Sequence, residues 1–287
     1  MAITADMVKN LREKTGAGMM ECKVALTEAN GDVEQAIDLL RKRGLAHAAK
    51  KAGRATGEGL IGSYLSEDHG TGVLVEVFCE SDFVARTPDF QALITAIAAD
   101  IARAGEAATP EWVADPAGPV QQRVAGGIAK MGENMGVGRF ARFSGRGLVG
   151  LYIHLGGKLG VLVELDGTTG AAAQHDAVQT LVKELAMQVA AASPQYARRD
   201  EVPAAVLERE KGIYRAQMEG QNKPAPVIDK IVEGKLGAFY QQVVLPDQAS
   251  IRDPKTSVAH MIAAAAKEAG ATLAVSRFAR IKVGETA

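Results

Sequence analysis

The sequence has little of what usually marks a reactive site. It holds two cysteines, Cys22 and Cys79, far apart in the chain. Their spacing fits neither a disulfide framework nor a metal or redox motif, so a reducing compartment is expected. The five histidines, His47, His69, His154, His175 and His260, are scattered, and none has the spacing of a zinc ligand set. Neither the G-x-S-x-G elbow nor a phosphate-binding G-x-x-x-x-G-K-[ST] loop occurs. Net charge is also missing: 33 Lys and Arg stand against 34 Asp and Glu, a formal charge of −1. That balance argues against nucleic-acid binding by bulk charge. No run approaches the roughly 18 to 20 apolar residues of a membrane span. The first ten residues carry no apolar stretch of the secretory kind, so no signal is expected and a cytoplasmic location is the default. With no catalytic constellation, the chain reads as a non-enzyme that needs no metal and no cofactor. What is present is 287 residues, 47% apolar and 23% charged, enough for about two domains with real cores.

Residues 1–54 read as three short helices and a basic linker. Ile3, Met7, Val8 and Leu11 form a helical stripe after a Thr4 cap, and Gly16-Ala17-Gly18 stops it. A second helix is predicted from about Met19 to Ala29, with Val24, Ala25 and Leu26 inward. Asn30-Gly31 breaks it. Asp32 then caps a third helix, with Gln35 at the capping-box position and Val33, Ala36, Ile37 and Leu40 as its stripe. Three such helices resemble a ubiquitin-associated-type bundle, whose small core suits it to presenting a surface. Residues 41–54 carry Arg41, Lys42, Arg43, Lys50, Lys51 and Arg54 with no acid. They read as a solvated helix end and linker, or as a contact for an acidic protein surface. No aromatic residues interleave, which disfavours nucleic acid.

An internal repeat organises the rest. Residues 59–77 and 147–165 align without gaps at an offset of 88, with nine identities in nineteen positions. Each copy reads as a strand, a turn and a β-branched strand. In the second, Val149, Leu151, Ile153 and Leu155 are expected on one face. The offset continues into a helix, where Phe90, Leu93, Ile97 and Ile101 map onto Val178, Leu181, Leu185 and Val189. Further on, Arg139-Phe140-Ala141-Arg142-Phe143 echoes Arg277-Phe278-Ala279-Arg280-Ile281 at an offset of 138. The second copy has therefore gained 50 residues, at roughly 195–245. There Pro203 opens one helix, Val206, Ile213 and Met218 share a face, and Gly220-Gln221-Asn222-Lys223-Pro224 turns the chain. Ile228, Ile231, Val232, Leu236 and Phe239 then stripe a returning helix. The fold class is α+β. The predicted units are a three-helix bundle and linker over 1–54, then a duplicated ββααβ core with antiparallel sheets. Its halves span 55–145 and 146–287, and the second carries an inserted antiparallel, coiled-coil-like helical hairpin.

Two G-x-G-x-x-G strings, at 57–62 and 145–150, precede strands rather than helices, so they read as hairpin punctuation and not as dinucleotide fingerprints. Cys22 and Cys79 read as packed side chains. Met19 and Met20 lie about 100° apart on a helix, so one of them is expected to reach solvent or a partner. The segment Glu80-Ser81-Asp82-Phe83-Val84-Ala85-Arg86 breaks the internal symmetry: Gly170 and Ala171 stand where Asp82 and Phe83 do. Two readings stay open. Ser81 or Asp82 caps a short helix while Phe83 plugs it to the core, or an exposed Asp-Phe tip wedges into a partner.

Residues 11–26, Leu-Arg-Glu-Lys-Thr-Gly-Ala-Gly-Met-Met-Glu-Cys-Lys-Val-Ala-Leu, resemble the N-terminal signature of bacterial elongation factor Ts. Residues 76–85, Glu-Val-Phe-Cys-Glu-Ser-Asp-Phe-Val-Ala, resemble its second signature. Lys50 to Arg54, Met131 to Asn134, Tyr152 to His154, Ile231 to Lys235 and Arg280 to Glu285 are similar to further family motifs, in order along nearly the whole chain. The family usually has Asn where Phe78 stands, so a polar bond made by that Asn is not expected here. Ser81 replaces the usual Thr and keeps the capping hydroxyl. Some relatives continue into a C-terminal helical module, whose contacts are not expected here. The resemblance implies a guanine-nucleotide exchange factor that binds elongation factor Tu and promotes GDP release by disturbing its Mg²⁺ and phosphate site. It implies partner contacts at Ser81, Asp82, Phe83 and Val84, and at Arg12, Met19, Met20, Lys23, Met131, Gly132 and His154. The implied partner is a protein, not nucleic acid or membrane, and the hairpin is a candidate for self-association or contact with a second subunit. A passive adaptor without effect on nucleotide release is the competing class.

Overall fold

The computed structural model describes residues 2–145, 147–168, 170–218 and 224–285, without the side chains of residues 45, 47 and 49. The turn expected at 220–224 falls, apart from Pro224, outside the described residues, as does Arg146 of the second glycine string.

Helices α1 (Ala5–Thr15), α2 (Met19–Glu28) and α3 (Val33–Lys51) form the N-terminal bundle. Their limits follow from caps. The Met7 N–H donates to Thr4 Oγ1 at 3.3 Å, and Gly16 ends α1 in the left-handed region at φ 68°. The Gln35 N–H donates to Asp32 Oδ1 at 3.0 Å, which is the cap of α3. Val8 and Leu11 of α1 and Ala36 of α3 close on Cys22, Ala25, Leu26 and Ala29. That last set has the i, i+3, i+4, i+7 spacing of one helix face. Val24 lies off this face and is 42% exposed, so its expected inward placement is corrected. Met19 and Met20 both reach solvent rather than one of them.

The end of α3 is not a solvated linker. It lies along α7 (Pro119–Met131), with Gly44 against the Ala125 carbonyl. Arg41 bonds Gln122, Arg43 pairs with Glu28 at 2.5 Å, and Lys51 donates to the Gly132 carbonyl. Basic residues that the sequence leaves free are thus largely engaged within the chain.

Two three-stranded antiparallel sheets follow. The first has the order β1 (Glu58–Leu65), β2 (Thr71–Cys79), β3 (Met135–Ser144). The second has the order β4 (Leu148–Ile153), β5 (Leu159–Asp166), β6 (Ala274–Lys282). Helix α5 (Pro88–Ala104) covers β1 and β2, and α8 (Asp176–Ala192) covers β4 and β5 at the 88-residue offset. Phe90, Ile97 and Ile101 are buried on one helix, and Val178, Leu181, Leu185 and Val189 on the other. Short helices α4 (Asp82–Ala85) and α6 (Pro110–Ala114) add to the first half, while α11 (Val258–Ala269) completes the second.

The sheets meet through one apolar cluster: Ile61, Leu74 and Phe143 from the first, Val149, Leu162 and Ile281 from the second. These residues pair at the offsets of 88 and 138. The close approach depends on two glycines. A methyl on Gly72 would come 2.6 Å from Val149 Cγ1, and one on Gly160 would come 2.7 Å from Ile61 Cγ2. Leu155 does not share the face with Val149, Leu151 and Ile153. β4 ends at Ile153, and Leu155 stands beyond it, 91% exposed.

The inserted helices are α9 (Ala204–Ala216) and α10 (Ala225–Val243). Arg215 pairs with Asp229, while Val206 and Leu207 share a cluster with Phe239 and Tyr240, which makes the pair antiparallel. Pro203 is the cap residue before α9 rather than its first helical position. The predicted limits of the insertion are too wide, because Ala197 and fully buried Leu245 belong to the core cluster of the second half. An offset shows how much length was gained, not which residues project.

Gly72→Ala is expected to overpack the sheet interface and cost about 1 to 3 kcal/mol in denaturant unfolding. Gly212→Ala, in open space on α9, should instead stabilise by about 0.5 to 1 kcal/mol through helix propensity.

Candidate functional site

Antiparallel pairing of β2 with β3 sets Cys79 opposite Met135. The residues just past the end of β2 therefore lie beside those just before β3. Two carboxylates exploit this. Glu133 accepts from the Ser81 N–H at 3.0 Å and from Ser81 Oγ at 2.6 Å. Glu80 accepts from the Asn134 N–H at 2.5 Å. Each segment thus supplies the carboxylate that fixes the other's backbone. Arg54 reaches Glu80 at 3.5 Å, and the Asn134 amide donates to the Arg54 carbonyl at 2.7 Å. The end of the N-terminal unit is held at the same point.

On this base stands α4. Ser81 caps it, accepting from the Val84 N–H at 3.3 Å, so the hydroxyl shared with Thr does the expected work. Ala85 is buried and Val84 packs against the core of the first half. Phe83 points outward and is 81% exposed, which rules out the core plug. Asp82 pairs with Arg86 at 2.8 Å, a surface contact worth about 0 to 1 kcal/mol. Thr87 Oγ1 donates to the Val84 carbonyl and lies 3.8 Å from Met131 Sδ, so Met131 sits under the tip. Gly132 ends α7 in the left-handed region at φ 78°, exposed beside it.

Phe78 lies on β2 with its ring over Gly138, where an added methyl would come 2.6 Å from Cε2. The ring fills space there and makes no polar bond. Cys79 is fully buried, and its thiol donates to the Ser81 carbonyl at 3.2 Å. Burial, and then the negative charge of Glu133, push its pKa up to about 11. A thiol held protonated is a packing group, not a nucleophile.

The other expected contacts are spread out. His154 lies at the β4–β5 turn, exposed, with Nδ1 3.0 Å from Tyr152 Oη. A cleft of about 750 Å³ separates α4 from that turn, lined by Asp82 and Arg86 on one side and by Leu155 and Lys158 on the other. Arg12, Met19, Met20 and Lys23 are exposed on α1 and α2, and no hydrogen bond or ion pair among the described residues joins them to α4. The expected contact residues therefore lie on α1, α2, the end of α7 and the β4–β5 turn as well as on α4. Glu133 and Asn134 fall within the Met131 to Asn134 motif, which by itself gives them no role. Their work depends on strand register, which no local signal carries.

A second cleft, of about 460 Å³, follows the seam between the bundle and α7. Its buried Asp100 is paired with Arg103 of its own helix and with Arg123 of α7, so it ties α5 to α7. Among the described residues no group of three metal-ligating side chains occurs, and no helix is long and apolar enough to cross a membrane.

Glu133→Ala should leave the Ser81 donors without their acceptor and cost about 1 to 3 kcal/mol. Amide exchange at Ser81 and Val84 should accelerate more than in the sheets, and unchanged exchange there would show that the carboxylate does not hold the tip. Because the folded state keeps Cys79 protonated, its contribution to stability is intact below pH 9 and is lost as pH rises from about 9 to about 11. Subtracting the stability curve of Cys79→Ala from that of the unaltered chain should isolate this slope. A flat difference would refute the raised pKa.

Comparison with known proteins matches residues 80–285 to the family described as Elongation factor TS. The chain is 44% identical to Elongation factor Ts of Clostridium botulinum (strain Alaska E43 / Type E3) over 288 residues, covering 99% of this chain and 93% of the relative. It is 44% identical to Elongation factor Ts of Trichlorobacter lovleyi over 291 residues, covering 99% and 94%. With Elongation factor Ts of Nitratidesulfovibrio vulgaris (strain DP4) it shares 43% identity over 289 residues, covering 100% and 98%.

Proposed function

Since the chain belongs to the elongation factor Ts family, a family of translation elongation factors, we propose that it is the guanine-nucleotide exchange factor of elongation factor Tu. It binds the GDP form of that GTPase in the cytoplasm and promotes GDP release. The observation that carries this reading is Phe83, 81% exposed on a helix of one turn whose base is fixed by Glu133 and Glu80. An apolar side chain held rigidly in water is poised to insert into something else.

The chemistry asked of the chain is not covalent. A GTPase holds GDP through backbone N–H groups, a helix N-terminus and a bridging Mg²⁺. Ser81, Asp82, Phe83 and Val84 press on that Mg²⁺ and phosphate site. Arg12, Met19, Met20 and Lys23 of the bundle, with Met131, Gly132 and His154, supply affinity elsewhere on the partner. The chain acts without a catalytic group or a cofactor of its own. By linkage, the factor by which it weakens GDP is the factor by which GDP weakens it. The core is a duplicated ββααβ unit and the bundle a ubiquitin-associated-like domain. The duplication is supported by strands and helices that recur at the 88-residue offset, and the bundle by its three helices α1 to α3. The hairpin leaves Ile213 and Val227 exposed, which suits contact with a second subunit or copy.

Phe83→Ala should keep the melting temperature and lower stimulated GDP release. Loss of a central aromatic anchor costs roughly 2 to 4 kcal/mol, or about 30- to 1,000-fold. Asp82→Ala should cost less. Release of fluorescent GDP, measured against the concentration of this chain, tests both. If the unaltered chain binds the GTPase without speeding release, it is a passive adaptor and the proposal fails.

A further inference from the structure

The β4–β5 turn presents a second apolar side chain to solvent that the family motifs do not account for. Leu155 is 91% exposed, more than any other large apolar residue among those described. Its exposure does not come from a loose loop. The Gly157 N–H donates to the His154 carbonyl at 2.9 Å, and Gly156 and Gly157 take the left-handed turn at φ 87° and 71°. The Gly157 carbonyl then accepts from the Ile61 N–H of β1 at 2.8 Å, and Lys158 pairs with Glu58 at 2.5 Å. The backbone on the far side of Leu155 is therefore pinned to the neighbouring sheet. A leucine on such a turn adds nothing to the core and leaves its whole apolar surface in water.

What it faces is informative. The cleft between this turn and α4 has an apolar floor of Leu60, Ile61, Ala85 and Ile94. Its charged rim is already neutralised in pairs, Glu58 with Lys158 and Asp82 with Arg86. Such a cleft has no net sign to attract phosphate or nucleic acid. It suits uncharged, apolar protein side chains, and Asp82 of the proposed wedge forms part of its wall.

We propose that Leu155 is a second anchor for the GTPase, and that an apolar segment of that protein next to the wedge contact fills the cleft between Leu155 and α4. The inference rests on the exchange-factor reading and adds to it a residue and a surface. An anchor at Leu155, across the cleft from the helix that carries Phe83, would fix the angle at which Phe83 enters, so Leu155 acts on affinity and orientation rather than on the nucleotide.

The test is the affinity of this chain for nucleotide-free elongation factor Tu, measured for the unaltered protein and for Leu155→Ala, Leu155→Asp and Phe83→Ala, with melting temperatures alongside. Leu155→Ala is expected to weaken binding about tenfold, as truncation of a buried interface anchor does. Leu155→Asp is expected to weaken it further, because its charge would be desolvated, and neither should shift melting. Unaltered affinity of Leu155→Asp would overturn the anchor while leaving the exchange reading intact, provided that the unaltered chain still speeds GDP release. Weak binding by Leu155→Asp with full binding by Leu155→Ala would also overturn it, since only an intruding charge would then matter. A lowered melting temperature for Leu155→Ala would make the residue structural. If the unaltered chain neither binds the GTPase nor speeds release, the exchange reading falls first and this proposal with it.

Discussion

The reciprocal clamp between Glu80-Ser81 and Glu133-Asn134 is the constraint on which the rest depends. Each carboxylate accepts bonds from the other segment's backbone, so neither end of β2 or β3 can shift alone. Hydrogen bonds to an ionised acceptor are about twice as strong as neutral ones. The same few residues take Arg54 from the bundle linker and, through Gly132, Lys51 from α3. One polar knot therefore sets the positions of the bundle, the tip and the first sheet. A four-residue helix has almost no stability of its own. It persists here because its cap, Ser81, is held from below.

Packing of the two sheets supplies the platform. Matching residues from each sheet meet across a cluster in which Gly72 and Gly160 allow close approach. Buried carboxylates reinforce the match. Glu76 binds Arg139 and the Gly284 N–H, which ties the first sheet to the chain beyond β6. Its counterpart Glu164 binds Arg277, whose guanidinium lies over the Phe143 ring of the other sheet. Buried charge is costly unless paired, so these contacts do more for register and orientation than for net stability. Against that near-symmetry the tip stands out, since the position of α4 is taken in the second half by the short 3-10 turn Gly170–Gln174, with Ala171 in place of Phe83.

The clefts show how the same composition serves different ends. Beside the bundle seam, buried Asp100 of α5 pairs with Arg103 and with Arg123 of α7. Beside α4 the ion pairs lie at the rim and the floor stays apolar. Leu155 and Phe83 are the two most exposed large apolar residues among those described.

Local chemistry and repetition were enough to determine much of this protein. Thr4, Asp32, Ser81 and the Asn30-Gly31 break fix helix limits because caps and left-handed turns act within a few residues. The constant offset located strands and helices, its change gave the length of the insertion, and the departure of Asp82-Phe83 from it marked the tip. Tertiary structure alone decided the rest. The direction of Phe83 was open between core and solvent until strand pairing placed Glu133 under Ser81. Periodicity puts Val24 inward and Leu155 on one face with Val149, Leu151 and Ile153, yet Val24 stays exposed and the strand ends before Leu155. The basic run after Leu40 was open between a solvated helix end and a contact for an acidic surface, and tertiary structure engages Arg41, Arg43 and Lys51 within the chain. Periodicity reports which faces an element has, whereas burial, register and ion pairing depend on what arrives from elsewhere in the chain.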